Sequence, residues 1–199
     1  MRRYFNILLL GNLLLWLAAC NNSPAPSKTQ IAGINQYFDV TGFMQQQITQ
    51  LNREKPGATK KVTEAGRGTE TKQVNNLDWD EELGVFLELD INKPAFRNAY
   101  IISHQTDPGT GLTSLIYRKK PGTDGNVQYL VISTDAGGQV KAIRGLQETS
   151  NVLLTTRREL QLQCNTKNGV NRVTSYSIQG LQKPVIFQAL RYVIVTELS

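Results

Sequence analysis

Short segments of β-forming residues, separated by turn sequences, fill the chain from Tyr100 to Leu198. The separators contain Asp-Pro-Gly, Asp-Gly and Asn-Gly, as at residues 107–109, 124–125 and 168–169, and these are typical tight-turn residues. Connections this short join antiparallel neighbours, because parallel strands need crossovers of about a dozen residues or more. The pattern therefore predicts an antiparallel β-meander. Its predicted strands are residues 100–105, 113–119, 127–134, 139–146, 152–157, 159–165, 172–180 and 185–198.

Two earlier segments have apolar residues at three- and four-residue intervals, the spacing of amphipathic helices. The first runs from about Gln30 to Glu54 and ends before a Lys-Pro-Gly sequence. The second opens at Asp78, whose side chain suits a helix N-cap, and Pro94 is expected to end it. The apolar positions are Ile34, Tyr37, Phe38, Thr41, Met44, Ile48 and Leu51 in the first helix, and Trp79, Leu83, Phe86 and Leu87 in the second.

Between these helices, two Thr-rich alternating stretches at residues 60–65 and 69–74 flank a Gly-Arg-Gly turn. They predict a short polar hairpin, with a loop lacking strands as the alternative. All elements together predict the α+β class, with two N-terminal helices packed on a curved antiparallel β-meander of about seven to eight strands. We expect residues 31–199 to form a single α+β domain.

Two of the predicted strands carry apolar residues on both faces. These are Tyr129-Leu130-Val131-Ile132 and Tyr192-Val193-Ile194-Val195. The two helices can cover one face of the sheet, so the other face requires curling of the sheet, a partner or a ligand. This is the one feature of the predicted sheet that indicates binding.

The first twenty residues have the three blocks of an export signal. Arg2 and Arg3 precede an apolar run over residues 7–17, and Leu17-Ala18-Ala19-Cys20 follows. This tetrapeptide resembles the lipobox of bacterial lipoproteins, in which the cysteine is lipidated before cleavage. A transmembrane helix is the alternative interpretation, but the run is shorter than the about 20 apolar residues that a membrane span needs.

The lipobox implies cleavage between Ala19 and Cys20, a signal peptide over residues 1–19 and a membrane anchor through lipidated Cys20. Residues 20–30 are rich in Asn, Ser and Pro, which predicts a flexible tether. The formal net charge of +6 includes the two signal arginines. The basic pairs Lys60-Lys61, Lys119-Lys120 and Arg157-Arg158 are scattered, which indicates a solvated surface, with attraction to anionic lipid or glycan as the alternative. We therefore expect no nucleic-acid partner.

The chain has few groups for catalysis. His104 is its one histidine, which excludes a His-rich metal site, and we expect no cofactor. Cys164 has no disulfide partner if Cys20 carries lipid, and it alternates with Leu160 and Leu162 on one strand face. This predicts a buried Cys164 rather than a nucleophile, with a Cys164–His104 dyad as the open alternative.

Acidic residues cluster at Asp78, Asp80, Glu81 and Glu82. One interpretation is structural, because acids at a helix N-terminus face the positive end of its dipole. The other is a pair of catalytic carboxylates or a calcium site, although the EF-hand spacing is absent. The structural interpretation is preferred, and no phosphate-binding or nucleophile-elbow motif accompanies the cluster.

The segment Leu77 to Phe86, followed by Asp90-Ile91-Asn92-Lys93-Pro94, resembles small lipoproteins of Bacteroidota. The resemblance covers most of residues 31–199. Those proteins have no assigned activity, so the resemblance implies a two-membrane envelope but no catalytic residue. The residues after Cys20 lack the acids typical of surface display in that group, which favours an outer-membrane anchor facing the periplasm.

Three functional hypotheses follow. The leading one is a non-catalytic envelope lipoprotein whose domain binds an envelope protein or another envelope component. The second is a carrier of a lipid or other apolar ligand in a half-barrel groove. The third, an enzyme using Asp78, Asp80 and Glu82, or Cys164 with His104, ranks last.

Overall fold

The computed structural model describes residues 36–199. The predicted signal peptide over residues 1–19, the lipidation of Cys20 and the tether over residues 20–30 lie outside these residues and stay predictions. The described residues belong to one structural unit, Asn35–Ser199. None of the helices in residues 36–199 has the length and hydropathy needed to cross a membrane.

Residues 36–199 contain two α-helices, and each begins at an aspartate N-cap. Helix α1 covers Val40–Glu54, and Asp39 Oδ1 accepts a hydrogen bond of 2.7 Å from the Gly42 amide. Helix α2 covers Trp79–Leu87, and Asp78 Oδ1 accepts from the amides of Asp80 and Glu81 at 3.0 and 3.2 Å. These caps satisfy amides that have no partner within the helix, and the predicted N-cap at Asp78 is confirmed.

The predicted start of α1 is wrong over Tyr37 and Phe38, which lie before its N-cap. The side chain of Asn92 holds this segment instead: Nδ2 donates to the carbonyls of Tyr37 and Phe38 at 3.2 and 2.9 Å, and Oδ1 accepts from the Tyr37 amide at 3.0 Å. The expectation that Pro94 ends α2 is also wrong. The helix ends at Leu87, and Pro94–Phe96 forms a 3-10 turn.

Nine antiparallel strands form one open, curved sheet in the order β2-β1-β9-β8-β7-β6-β5-β4-β3. The strands are β1 Ala58–Glu64, β2 Gly68–Val74, β3 Tyr100–Thr106, β4 Thr113–Lys119, β5 Val127–Thr134, β6 Val140–Ser150, β7 Leu154–Lys167, β8 Val170–Pro184 and β9 Leu190–Leu198.

The predicted α+β class and the hairpin are confirmed, but the strand count and the pairing differ from the prediction. The predicted strands 152–157 and 159–165 are parts of the single strand β7, so the meander β3–β9 has seven strands. The hairpin β1–β2 is not separate from it, because β1 pairs with the C-terminal strand β9 and extends the sheet to nine strands.

The helices and one face of the sheet form the hydrophobic core. Gly145 of β6 leaves room for Leu89, which follows α2, and the ring of Phe86 meets the edge of Tyr176 at a centroid distance of 5.9 Å. The largest fully buried side chains are Trp79, Tyr117, Phe86, Met44, Leu51, Leu83, Leu89, Ile91, Leu130, Ile132, Ile143 and Leu160.

The strand register divides the sheet into two faces. Gly145 faces the helices, since Leu89 lies against it, and its row of cross-strand partners shares that face. Side chains one residue away along each strand point to the opposite face, which we call the open face. A row of cross-strand partners there consists of Tyr129, Leu146, Glu159, Gln179, Val193 and Thr63.

Candidate functional site

A groove of about 350 Å³ lies on the open face, at the end of the sheet where β7 begins and β8 ends. Strands β1, β7, β8 and β9 form it. The side chains that give it its character are Thr63, Arg157, Glu159, Leu181, Arg191 and Val193. This volume lies within the range of small-molecule sites, about 300–1,000 Å³.

The register places two arginines on either side of one leucine. Leu181 of β8 is the cross-strand partner of both Arg157 on β7 and Arg191 on β9. Because directly opposed residues on neighbouring strands are about 5 Å apart, the Cα atoms of the two arginines lie about 10 Å from each other. The groove therefore has an apolar centre with a guanidinium group on each side.

The carboxylates of Glu148 and Glu159, beside the groove, already have ion-pair or hydrogen-bond partners. Arg157 makes an ion pair with Glu148 of β6. Glu159 accepts hydrogen bonds from Arg144 at 3.1 Å, Tyr129 at 3.2 Å and Gln161 at 3.3 Å. Partial burial raises the pKa of the Glu159 carboxyl, but these hydrogen bonds outweigh it and hold the pKa below its usual value.

Arg191 differs from Arg157 in having a free side chain. It is exposed, and among residues 36–199 its guanidinium makes no ion pair or side-chain hydrogen bond, although its carbonyl accepts from the Ala65 amide at 3.0 Å. A guanidinium group offers five donors in a planar fork that matches a carboxylate or a phosphate. Arg191 is therefore the strongest anion-binding candidate of the groove.

The proposed Cys164–His104 dyad is wrong. His104 is exposed on the edge strand β3, and Cys164 is buried on β7, four strands away. Neighbouring strands lie about 4.8 Å apart, so the two residues are separated by about 19 Å. Burial raises the pKa of the Cys164 thiol to about 12, the opposite of what a nucleophile needs. The predicted burial of Cys164 is confirmed.

The acidic cluster at the start of α2 has structural partners. Asp78 is the N-cap, and Asp80 accepts a hydrogen bond of 2.7 Å from Asn52 Nδ2. Glu82 makes an ion pair with Lys60 at 2.7 Å and accepts a hydrogen bond from the Tyr176 hydroxyl. Within the described part of the chain, no group of three His, Cys, Asp or Glu side chains is arranged to hold a metal ion.

The sequence interpretation missed the arginines of the groove, because it took Arg157-Arg158 for a solvated basic pair. Alternation along β7 separates the two residues: Arg157 points to the open face, and Arg158 makes an ion pair of 2.6 Å with Glu88, which caps the C-terminus of α2. The alternation of side chains along a β-strand is sufficient to predict that Arg157 and Arg158 point to opposite faces. The approach of Arg157 to Arg191 depends on the pairing of β7 and β9 with β8.

The described residues form two helices on one face of an antiparallel sheet and a groove with two arginines on the other. No protein-family model matches the chain, and neither the curated proteins nor the solved structures contain a significant match.

Proposed function

We propose that this chain is a non-catalytic envelope lipoprotein, anchored through Cys20 to the outer membrane and facing the periplasm, whose groove binds an acidic group of an envelope component. One observation carries the binding proposal: Arg157 and Arg191 stand on either side of Leu181 on a sheet face without helices. The lipobox-like Leu17–Cys20 segment motivates the anchor.

The packing of the other face supports a binding surface rather than an internal cargo site. Side chains from α1, α2 and the sheet form one core, in which Trp79, Phe86 and Leu130 are at most 1% exposed. On the open face, Tyr129, Val131 and Val193 are only half-buried. The part of the sheet that remains available to a ligand is therefore the face that carries the groove.

The chemistry of the groove suits a carboxylate or phosphate attached to an apolar group. Hydrogen bonds to charged groups contribute about 1.5–3 kcal/mol each, and a guanidinium can form two with one carboxylate. Leu181 offers apolar contact between the arginines, and Val193 adds apolar surface two residues along β9 from Arg191. The residues from Cys20 to Gln36, if extended, span up to about 55 Å, which lets the domain reach partners away from the membrane.

Site-specific photo-crosslinking in cells tests the groove. A benzoylphenylalanine at Gln179, inside the groove, is expected to give an adduct that Arg191→Glu abolishes. The matched control is the same residue at Gln163, which lies on the open face outside the groove. Equal adducts at both positions, or an adduct insensitive to Arg191→Glu, would contradict the proposal.

The anchor has its own test. The full-length precursor is expected to incorporate radioactive palmitate and to fractionate with membranes, and Cys20→Ser is expected to lose the label. Cys164→Ser serves as the control, because it removes the second cysteine of the chain without touching the lipobox. Labelling that survives Cys20→Ser would refute lipidation at this residue.

A carrier of a lipid or other apolar ligand is the second candidate, and the apolar groove residues Leu181 and Val193 favour it. Native mass spectrometry of protein purified from membranes would reveal co-purified lipid. Bound lipid that disappears in Val193→Asp would establish the carrier. Absence of lipid, together with a groove crosslink to a protein or glycan, would exclude it.

A further inference from the structure

Five large apolar side chains project into solvent from two neighbouring loops. Val152 and Leu153 lie between β6 and β7, and Val185, Ile186 and Phe187 lie between β8 and β9. Their side chains are 89%, 74%, 70%, 82% and 71% exposed, in that order. We call these five residues the apolar tip. On the surfaces of water-soluble proteins, exposed apolar side chains rarely cluster in this way unless the cluster contacts a partner or a membrane.

The two loops form one structure. The Val185 amide donates to the Leu153 carbonyl at 3.0 Å, which joins the loops. Asn151 Oδ1 accepts hydrogen bonds of 2.9 Å from the amides of Leu153 and Leu154, which closes the first loop. The apolar residues therefore protrude together from a hydrogen-bonded base.

Basic residues surround the base of the apolar tip. The strand ends that lead into the two loops, residues 148–157 and 181–191, carry Arg157, Lys183 and Arg191 against one acid, Glu148, which pairs with Arg157. Lys183 and Arg191 are exposed, and they have no ion-pair partner within residues 36–199. Apolar protrusions with a cationic rim match the interior and the anionic surface of a bilayer.

The described chain begins at the same end of the sheet as the apolar tip. Gln36 Nε2 donates to Asn98 Oδ1 at 2.8 Å, just before β3 starts at Tyr100. In the antiparallel order, the start of β3 lies at the end where β6 and β8 finish. The segment from Cys20 therefore enters the described domain at the end that carries the apolar tip.

The turns at the opposite end are polar. They comprise residues 107–112, 135–139 and 168–169, which are dominated by Asp, Gly, Thr and Asn. Hydrogen bonds from the Gly109 amide and from the hydroxyl and amide of Thr110 lower the pKa of the Asp107 carboxyl. This turn therefore keeps its negative charge. The two ends of the sheet thus differ in hydropathy.

We propose that the apolar tip inserts into an anionic lipid bilayer, with Lys183 on the lipid phosphates, as a second membrane contact. The proposal rests on the proposed anchor at Cys20 for which membrane is contacted and for the side from which the chain approaches it. A lipid surface fits better than a protein partner because the tip protrudes, its rim is cationic, and the segment from the proposed anchor enters the domain at the same end.

Tryptophan fluorescence of the lipidated mature protein in vesicles tests this contact. Phe187→Trp places a reporter in the apolar tip, while Trp79 in the core gives a constant background. In phosphatidylethanolamine–phosphatidylglycerol vesicles, the added emission is expected to shift to shorter wavelength and to be mostly lost when the acyl chains are brominated. The control is Val170→Trp, at the opposite end of the sheet, which is expected to remain unquenched.

The charged rim is tested in the same assay. Lys183→Glu, which leaves Arg191 of the groove intact, is expected to reduce the quenching of the Phe187→Trp reporter, as is raising the salt concentration with the rim intact. Circular dichroism of each variant checks that it is folded.

Three outcomes would overturn the proposal. One is an unquenched Phe187→Trp reporter in correctly lipidated protein, and a second is equal quenching of Phe187→Trp and Val170→Trp. The third is a reporter that becomes buried only in native envelopes, which would identify the tip as a protein-docking surface. If the tip does not insert into lipid, the palmitate label on Cys20 and the crosslink at Gln179 are still expected. The membrane contact of the tip and the proposed function can therefore be refuted independently.

Discussion

At the scale of single residues, close packing sets the sharpest requirements. Gly145 is buried in the middle of β6 with Leu89 against it, and Leu89 is itself fully buried. A Cβ at position 145 would overlap the leucine side chain, which has no free space to move into. The absence of a side chain at position 145 therefore lets the segment after α2 pack closely against the sheet. It is not needed for a turn.

Gly145→Ala is expected to lower the free energy of unfolding by about 1–3 kcal/mol, the usual cost of overpacking a core. The control is Gly84→Ala in α2, where an added Cβ meets nothing within 4 Å. That variant is expected to gain about 0.5–1 kcal/mol, since alanine is favoured over glycine inside a helix. Urea titration measures both, and equal effects of the two substitutions would contradict the packing argument.

The burial of Cys164 predicts that the protein loses stability in alkaline solution. Burial raises the pKa of its thiol from an ordinary 9.0 to about 12. A group with a raised pKa in the folded state stabilises fully below its unfolded pKa, and this contribution is lost as pH rises from about 9 towards 12. Tyr100, with a pKa raised to about 12 by burial, acts in the same direction.

We therefore expect the free energy of unfolding to fall between pH 9 and 11, and to fall less in Cys164→Ala. The difference in slope is at most about 1.4 kcal/mol per pH unit for one group. Iodoacetamide gives a second readout at pH 8, where native Cys164 is expected to label far more slowly than the urea-unfolded chain. Fast labelling of the native protein would refute a buried thiol.

At the scale of the elements, a partly buried polar cluster around Glu82 joins α2 to two parts of the sheet. The Glu82 carboxylate accepts hydrogen bonds from the Lys60 ammonium group of β1 and from the Tyr176 hydroxyl of β8. Desolvation, together with the hydrogen bond to Glu82, raises the pKa of Tyr176, so the hydroxyl remains a donor. The helix is therefore connected both to the hairpin and to the meander.

Glu82→Gln is expected to destabilise the protein by about 1–3 kcal/mol, because it leaves the partly buried Lys60 without its counter-charge. Glu81→Gln, on the same turn of α2 but exposed, is the matched control and is expected to change stability by less than about 0.5 kcal/mol. Thermal unfolding of both variants decides between a structural cluster and an inert surface pair.

Local sequence signals predicted elements well where the structure depends on local chemistry. Strands β4 and β5 have the predicted bounds, and the turns at Asp107 and Asn168 form at the predicted Asp-Pro-Gly and Asn-Gly sequences. The start of α1 was missed because Asn92, distant in sequence, holds the backbone of Tyr37 and Phe38. Helical spacing of apolar residues carries no information about such a contact.

At the scale of the whole molecule, the first and the last strands of the described chain pair with each other. The C-terminal strand β9 lies between β8 and β1, and so joins the early hairpin to the meander. No local pattern predicts this pairing, since it depends on residues more than a hundred positions apart. The same is true of the groove, whose two arginines approach only after β8 has paired on both sides.

Removal of β9 is expected to abolish cooperative unfolding, because it separates β1–β2 from the sheet and exposes one edge of β8. A chain ending at Gln188 should show no sharp urea transition. Deletion of Ser199 alone, which removes only hydrogen bonds to the Gly57 carbonyl, is the control and should keep the transition. A truncated chain that still unfolds cooperatively would show that the hairpin is dispensable.

The central position of β9 has a consequence for biogenesis. Polypeptides are made, and exported, from the N-terminus onward, and a domain folds once its last necessary segment has emerged. Here that segment includes β9, so a nascent chain cannot complete its sheet before β9 has been synthesised. For the exported lipoprotein proposed above, this order would keep the sheet incomplete until β9 has been made, and an unfolded chain is what a narrow export channel accepts.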